Sequence, residues 1–187
     1  MSGRGEDPGW APVIRKLPLL LIPVVGMKRL SKEPNGLLAM RILWVVFVNA
    51  IVLIGVVVLL LGDELDGVLN PSLALAATVM VGVFAQLAGP RLVRGPDLLS
   101  AAAFAPTFQR WFFSRVAFAE VAALFGFVMF ILSGSGLVYA LGAVIALAGM
   151  IDAAPGARRL ATLQKQADDE GSGLDVLGAL QQGGLTR

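Results

Sequence analysis

The sequence predicts an all-α integral membrane protein with four transmembrane helices, and three observations carry that prediction. Long stretches lack charge: Ile42–Gly62, Gly67–Pro90, and Val116–Ile151 apart from Glu120 and a turn at Ser133–Gly136. Runs of this length match the roughly 20 residues a helix needs to cross a hydrocarbon core. Read as four spans, they place all 15 Lys and Arg residues on one side, in Arg4–Arg41, Arg91–Arg115 and Arg158–Arg187. The other side receives Asp63, Glu64 and Asp66 and no cation. Finally, with 57% hydrophobic and 15% charged residues, the chain has too little polar surface to coat a soluble globule.

The elements follow in order. Residues 1–36 form an N-terminal segment whose first twelve residues are polar, carry Gly and Pro, and read as disordered. Within it, Leu17–Met27 is an apolar stretch too short to span, interrupted by Pro18 and Pro23 and flanked by Arg15-Lys16 and Lys28-Arg29. It resembles the basic and hydrophobic parts of a signal peptide but lacks a small-residue cleavage site. Cations at both ends predict an interfacial or re-entrant segment.

The transmembrane domain is expected over 37–153, with spans near 38–61, 72–88, 112–132 and 137–152 arranged as two hairpins. Arg41 and Trp44 suit the headgroup region at the start of the first span, and Arg115, which does not share Glu120's face, is expected to snorkel to the cytoplasmic interface. Asn70-Pro71-Ser72 opens the second span and Gly89-Pro90 closes it. Pro96, Asp97 and Pro106 bracket Leu98–Phe104, which is expected to form a separate short helix on the membrane surface. Trp111, Phe112 and Phe113 mark the entry of span three. Residues 154–187 form a soluble tail: helical composition over Arg158–Gln166, a linker over Asp168–Gly173, and Leu174, Leu177 and Leu180 every third residue. That stripe reads as a frayed tail or as a partner-docking helix.

Both termini and every basic loop are thereby assigned to the cytoplasmic side of a bacterial plasma membrane. A pI near 9.4 belongs to a collar touching anionic lipid, because no stripe of Lys and Arg with interleaved aromatics points to nucleic acid. The chain lacks Cys and His, which removes disulfides, thiolate or imidazole metal sites, a cysteine nucleophile and the usual general base. No phosphate loop, zinc motif or nucleophile elbow is present. The acidic trio reads as an outer loop kept free of cations. A non-catalytic protein without cofactor or metal is expected.

One ionisable residue lies inside a span. Glu120 is eight residues past Phe112, roughly 12 Å along the helix, where an ionised carboxylate costs on the order of 3 kcal/mol. It is expected to be protonated, paired or in contact with water. Asn49, eight residues past Arg41, lies at similar depth on a parallel span. A hydrogen bond between the two would pin the helices together. Small residues predict close packing: Ala117 and Ala123 flank Glu120, Ala74, Thr78, Gly82 and Gln86 form an i, i+4 stripe on span two, and Gly142, Ala146 and Gly149 line span four.

From Arg115 the third span reads RVAFAEVAALFGFVM. This resembles the carboxylate-bearing helix of rotor-ring proteolipid subunits of rotary ATPases, a likeness that implies an ion-binding carboxylate at Glu120. Span two has Gly82 and Gly89 but not the sustained small-residue repeat of the helix that precedes it in those subunits. Together with Arg41-Ile42-Leu43-Trp44, the same helix also resembles a group of small bacterial four-span proteins. That second likeness covers most of Met40–Ala153 and implies no activity. The expected function is a structural or accessory role in a membrane complex or homo-oligomer, the alternative being proton translocation through Glu120.

Overall fold

A computed structural model describes residues 7–20, 35–62 and 65–183. Among these residues the chain is helical throughout, without strands. The elements are α1 (Ala11–Leu20), α2 (Gly36–Leu61), α3 (Pro71–Leu92), α4 (Ala101–Ser133), α5 (Gly136–Ala153), α6 (Ala157–Asp169) and α7 (Val176–Gln182). Helices α2 to α5 are long and apolar enough to cross a membrane. Of the apolar stretch Leu17–Met27, the backbone of 17–20 belongs to α1; the remainder lies outside the described residues, as do Asp63 and Glu64.

The described residues divide into two compact units: Met1–Val46, Gly95–Phe112 and Ala154–Arg187 in one, Phe47–Arg94 and Phe113–Ala153 in the other. In the second unit, α3 buries Ala74, Thr78, Gly82, Ala85 and Gly89, whereas α5 buries Val138, Tyr139, Gly142, Ala146 and Met150. Both sets recur at three- and four-residue spacing, one face of a helix. A Cβ at Gly82 would stand 3.0 Å from the Ala122 methyl, and one at Gly89 would stand 2.9 Å from Phe118. At Gly142 it would meet the carbonyl oxygen of Ala122. Glycine at these places lets backbones approach, which matters in lipid because apolar attraction does not distinguish helix from tail.

Each end has a local cause. Pro71 needs no helical donor at N1, and the Asn70 side chain accepts from Ser72 N–H at 2.9 Å. Pro90 sits within the last turn of α3, and the helix runs on to Leu92 past the expected end near 88. Arg91 Nη1 donates to the Leu87 carbonyl there at 2.7 Å. Helices α4 and α5 are joined by two residues, with Gly134 at φ +65°, a conformation that favours glycine. Gly67 lies against the backbone of Ser133, and Leu69 N–H donates to the Leu132 carbonyl at 2.9 Å.

The separate surface helix expected at Leu98–Phe104 is not formed. Helix α4 begins at Ala101 and runs unbroken through Pro106 to Ser133. Proline removes one backbone donor in the second turn, yet three alanines and the Ser100 hydroxyl, which accepts from Ala103 N–H at 3.3 Å, favour starting early. Thr107 ties the preceding loop to this helix. Its hydroxyl accepts from Asp97 N–H at 3.0 Å and donates to the Ala103 carbonyl at 2.7 Å. Of the three aromatic residues expected at the entry of span three, Trp111 and Phe112 are buried and Phe113 is exposed.

The tail also folds. Leu160, Leu163 and Ala167 of α6 are buried, as are Leu174, Val176 and Leu180 around α7, and the two helices pack together. Glycines at φ +66° and +65°, Gly171 and Gly173, reverse the chain between them. Gln164 holds the corner: its Nε2 donates to the Leu174 carbonyl at 2.9 Å and its Oε1 accepts from Val176 N–H at 3.0 Å. Gln164→Ala leaves both backbone groups without that partner, a cost of about 1–2 kcal/mol. Faster hydrogen exchange at the Val176 amide, with α3 to α5 unchanged, is the expected readout.

Candidate functional site

Two sets of polar residues stand out against the apolar background, one in each unit. The first centres on Arg41, which is 0% exposed. Its Nη1 donates to Asp7 Oδ1 at 2.7 Å and to the Gly9 carbonyl at 2.6 Å. Its Nη2 donates to Asp7 Oδ2 at 2.9 Å, and its Nε donates to the Pro155 carbonyl at 3.2 Å. This is a two-pronged guanidinium–carboxylate pair, the strong form of such an interaction. Trp10 covers the guanidinium with its ring centroid 5.3 Å from Cζ, and Trp44 packs edge-on against Trp10 at 5.3 Å. Val13, Leu38 and Ile42 complete the apolar surround.

Local sequence explains how the start of the chain reaches this position. Asp7 Oδ1 also accepts from Gly9 N–H at 2.9 Å, and Gly9 adopts φ +66°. This short side-chain turn aims Trp10 and the Gly9 carbonyl at Arg41. The Arg41 hydrogen bonds hold the Asp7 carboxyl below its usual range; burial opposes them and the Gly9 N–H assists. The Arg41 guanidinium is thus taken up by protein groups, a partnership that its reading as a headgroup residue does not include. Its partner lies 34 residues upstream in a stretch whose composition reads as disordered. The available signal was Asp-Pro-Gly-Trp, a turn carrying both an anion and an aromatic.

The leucine stripe of the tail belongs to the same unit and is not a free docking surface. Leu174 and Leu180 are buried and only Leu177 is partly open. Asp7, Leu160, Gln164, Asp175 and Leu177 border a cleft of about 220 Å³. Nearby, Arg159 stacks over Trp111 with its Cζ 5.2 Å from the ring centroid.

The second set lies in the spans. Glu120 is half-buried on α4. Neighbours on either side of it in sequence face the bundle: Phe118 meets Gly89 of α3, and Ala122 meets Gly82 of α3 and Gly142 of α5. Two residues turn a helix by about 200°, so the Glu120 carboxylate is directed away from those contacts. Asn49 is likewise half-buried and lies two residues from the buried Ile51 on α2. The structure makes no hydrogen bond between Asn49 and Glu120, and neither forms one with another described residue. Helical phase is the reason, since matching depth does not bring two side chains onto facing sides.

Other polar side chains on the apolar helices find partners within the second unit. Thr78, fully buried, donates to the Ala74 carbonyl at 2.8 Å and sets its methyl between Gly126 and Gly142. Gln86 is half-buried, packs against Gly149 and donates to the Ile145 carbonyl at 3.3 Å. The Tyr139 hydroxyl donates to the Ile51 carbonyl of α2. Arg115, five residues from Glu120, pairs with Asp152 at the end of α5. Of the small residues predicted to pack, Ala74, Gly82, Ala123, Gly142 and Ala146 are buried, whereas Ala117 is exposed. Asp66, the described member of the acidic trio, is exposed. Among the described residues no three His, Cys, Asp or Glu side chains converge as metal ligands.

The arrangement therefore comprises an arginine–carboxylate lock in one unit and, in the other, two half-buried polar side chains without hydrogen-bond partners among the described residues. Comparison with known proteins finds no matching family model, no similar curated protein and no similar solved structure.

Proposed function

We propose that this protein is a non-catalytic structural or accessory component of a membrane complex in a bacterial plasma membrane. In this reading it crosses the bilayer four times as two hairpins, with both termini and the Arg41 unit on the cytoplasmic side. The observation that carries it is the Arg41 lock. It gathers the start of the chain, the first turns of α2 and the Ala154–Gly156 connector into one folded body. These segments are contiguous with the cation-rich stretches of the sequence, and the positive-inside asymmetry supports a cytoplasmic location for them. A folded body continuous in sequence with apolar helices suits the presentation of a surface to a partner.

Affinity purification from native membranes in mild detergent, followed by the mass of the intact complex, tests this reading. A stoichiometric foreign subunit or a defined homo-oligomer is expected; a bare monomer counts against it.

A second reading has its own observation. Glu120 is a carboxyl group set in an apolar span, the kind of position at which proton relays place an ionisable residue. That role predicts that Glu120→Gln stays folded but abolishes pH-driven flux in proteoliposomes. Flux in the wild type that persists unchanged in the variant discards proton carriage.

A further inference from the structure

Helix α5 serves as a ruler between the later parts of α2 and α4, because residues 47–61, 113–133 and 136–153 belong to the same unit. Val58 of α2 lies against Gly136, and Arg115 of α4 pairs with Asp152. Asn49, nine residues before Val58, is therefore level with Ile145, nine residues after Gly136. Glu120, five residues after Arg115, is level with Leu147, five before Asp152. The two polar side chains differ in depth by two residues, about 3 Å, and α2 and α4 run in the same direction, both antiparallel to α5.

Their surroundings match as well. On α2, Asn49 shares a stripe with Leu53, Val56 and Leu60 at i, i+4, i+7 and i+11, and those three apolar residues are exposed. On α4, Glu120 shares a stripe with Phe113, Ala117, Leu124 and Ile131, also exposed and at the same seven-residue repeat. Each stripe is thus an apolar seam with one polar residue at a common depth, the pattern by which a single polar position sets helix register.

We infer that α2 of one copy of this chain docks in parallel on α4 of a second copy, with Asn49 hydrogen-bonded to Glu120 across the contact. The chemistry selects this occupant. Lipid tails offer no hydrogen bond, whereas a neutral carboxyl and a carboxamide exchange two: the acid O–H donates to the amide oxygen, and the amide N–H donates to the acid carbonyl. Both halves of that pair reside on this chain, at one depth, and do not meet within it. The small side chain of Ala117, one turn from Glu120, leaves room for close approach. Because the two surfaces differ, the contact is head-to-tail, so it closes into a cyclic assembly or extends into a row.

The inference rests on the proposal that the protein assembles in the membrane, and the experiment separates the two. The natural chain has no cysteine, so full-length Leu53→Cys and Leu124→Cys chains carry one thiol each. With different tags and co-expressed, they are expected to form a mixed disulfide dimer in native membranes when a membrane-permeant oxidant, copper phenanthroline with dissolved oxygen, takes up the two electrons, while neither dimerises alone. Glu120→Ala in the Leu124→Cys chain should weaken the association roughly 3- to 15-fold, and Glu120→Gln should restore most of it.

Dimers of either variant with itself would replace the head-to-tail contact by a two-fold one and overturn the inference. So would absence of the mixed dimer from a complex whose intact mass shows a foreign subunit, an outcome that leaves the accessory reading standing. A bare monomer by intact mass removes both.

Discussion

Asp7→Ala is expected to destabilise the protein by about 3 kcal/mol, the lower end of the range for stranding one member of a buried ion pair. Asp7 keeps a side-chain exposure of 25%, which places the effect at that end, whereas Arg41 has none. The loss arises less from the missing attraction than from a guanidinium left without its carboxylate, with only the Gly9 and Pro155 carbonyls remaining. Replacing both partners, Asp7→Ala with Arg41→Met, removes the stranded charge and should recover much of the loss. Thermal unfolding in detergent tests this: a drop of roughly 6–12 °C for the single variant, partly reversed in the double. Equal losses in single and double variants would show that the pair does not act as a unit.

The same lock dictates a response to acid. A carboxyl held below its ordinary pKa of about 3.9 contributes its full stabilisation above that value. The contribution fades as pH falls through the depressed folded-state pKa. The gap between wild type and the Asp7→Ala variant should therefore stay constant from neutral pH to near 4 and close below it.

The second large effect lies in the spans. Gly142→Ala should cost about 3 kcal/mol, at the upper end for overpacking, because the added methyl would meet the Ala122 carbonyl oxygen and the Gly126 Cα. Backbone cannot swing aside as a long side chain does. Gly95→Ala, with nothing within 4 Å of the new atom, is the matched control and should leave unfolding unchanged. Comparable melting of the two variants would remove Gly142 from the packing argument.

These two regions also separate what a sequence discloses from what it conceals. The stripe Ala74, Thr78 and Gly82 and its counterpart Gly142 and Ala146 were legible, because periodic small residues in an apolar run have few other uses. The spans were legible for the same kind of reason, from charge and length. The Arg41 lock was not legible, because an arginine at the edge of an apolar run reads as a headgroup residue and nothing local to it indicates a carboxylate 34 positions away. The surface helix at 98–104 failed because proline was weighed as a stop, when one missing donor near a capped, alanine-rich start is a small penalty. Asn49 and Glu120 are expected from the sequence at similar depth and hydrogen-bonded, and the structure makes no such bond within the chain. Depth follows from counting residues; rotation about the helix axis depends on which neighbours are buried, and α2 gives little periodic signal, since nearly every position beyond Ile42 is apolar.

The turn between α4 and α5 has a practical consequence. Gly67 and Gly134 are each pressed against backbone, and Leu69 is bonded to Leu132. That end of the helices has no slack in its described residues. An epitope tag or fluorescent protein inserted at Gly67 or Gly134 would have to break the clasp to fit, and a protease would find little free chain there. Labels for imaging or capture belong in the Arg94–Asp97 loop, where Gly95 has open space around it.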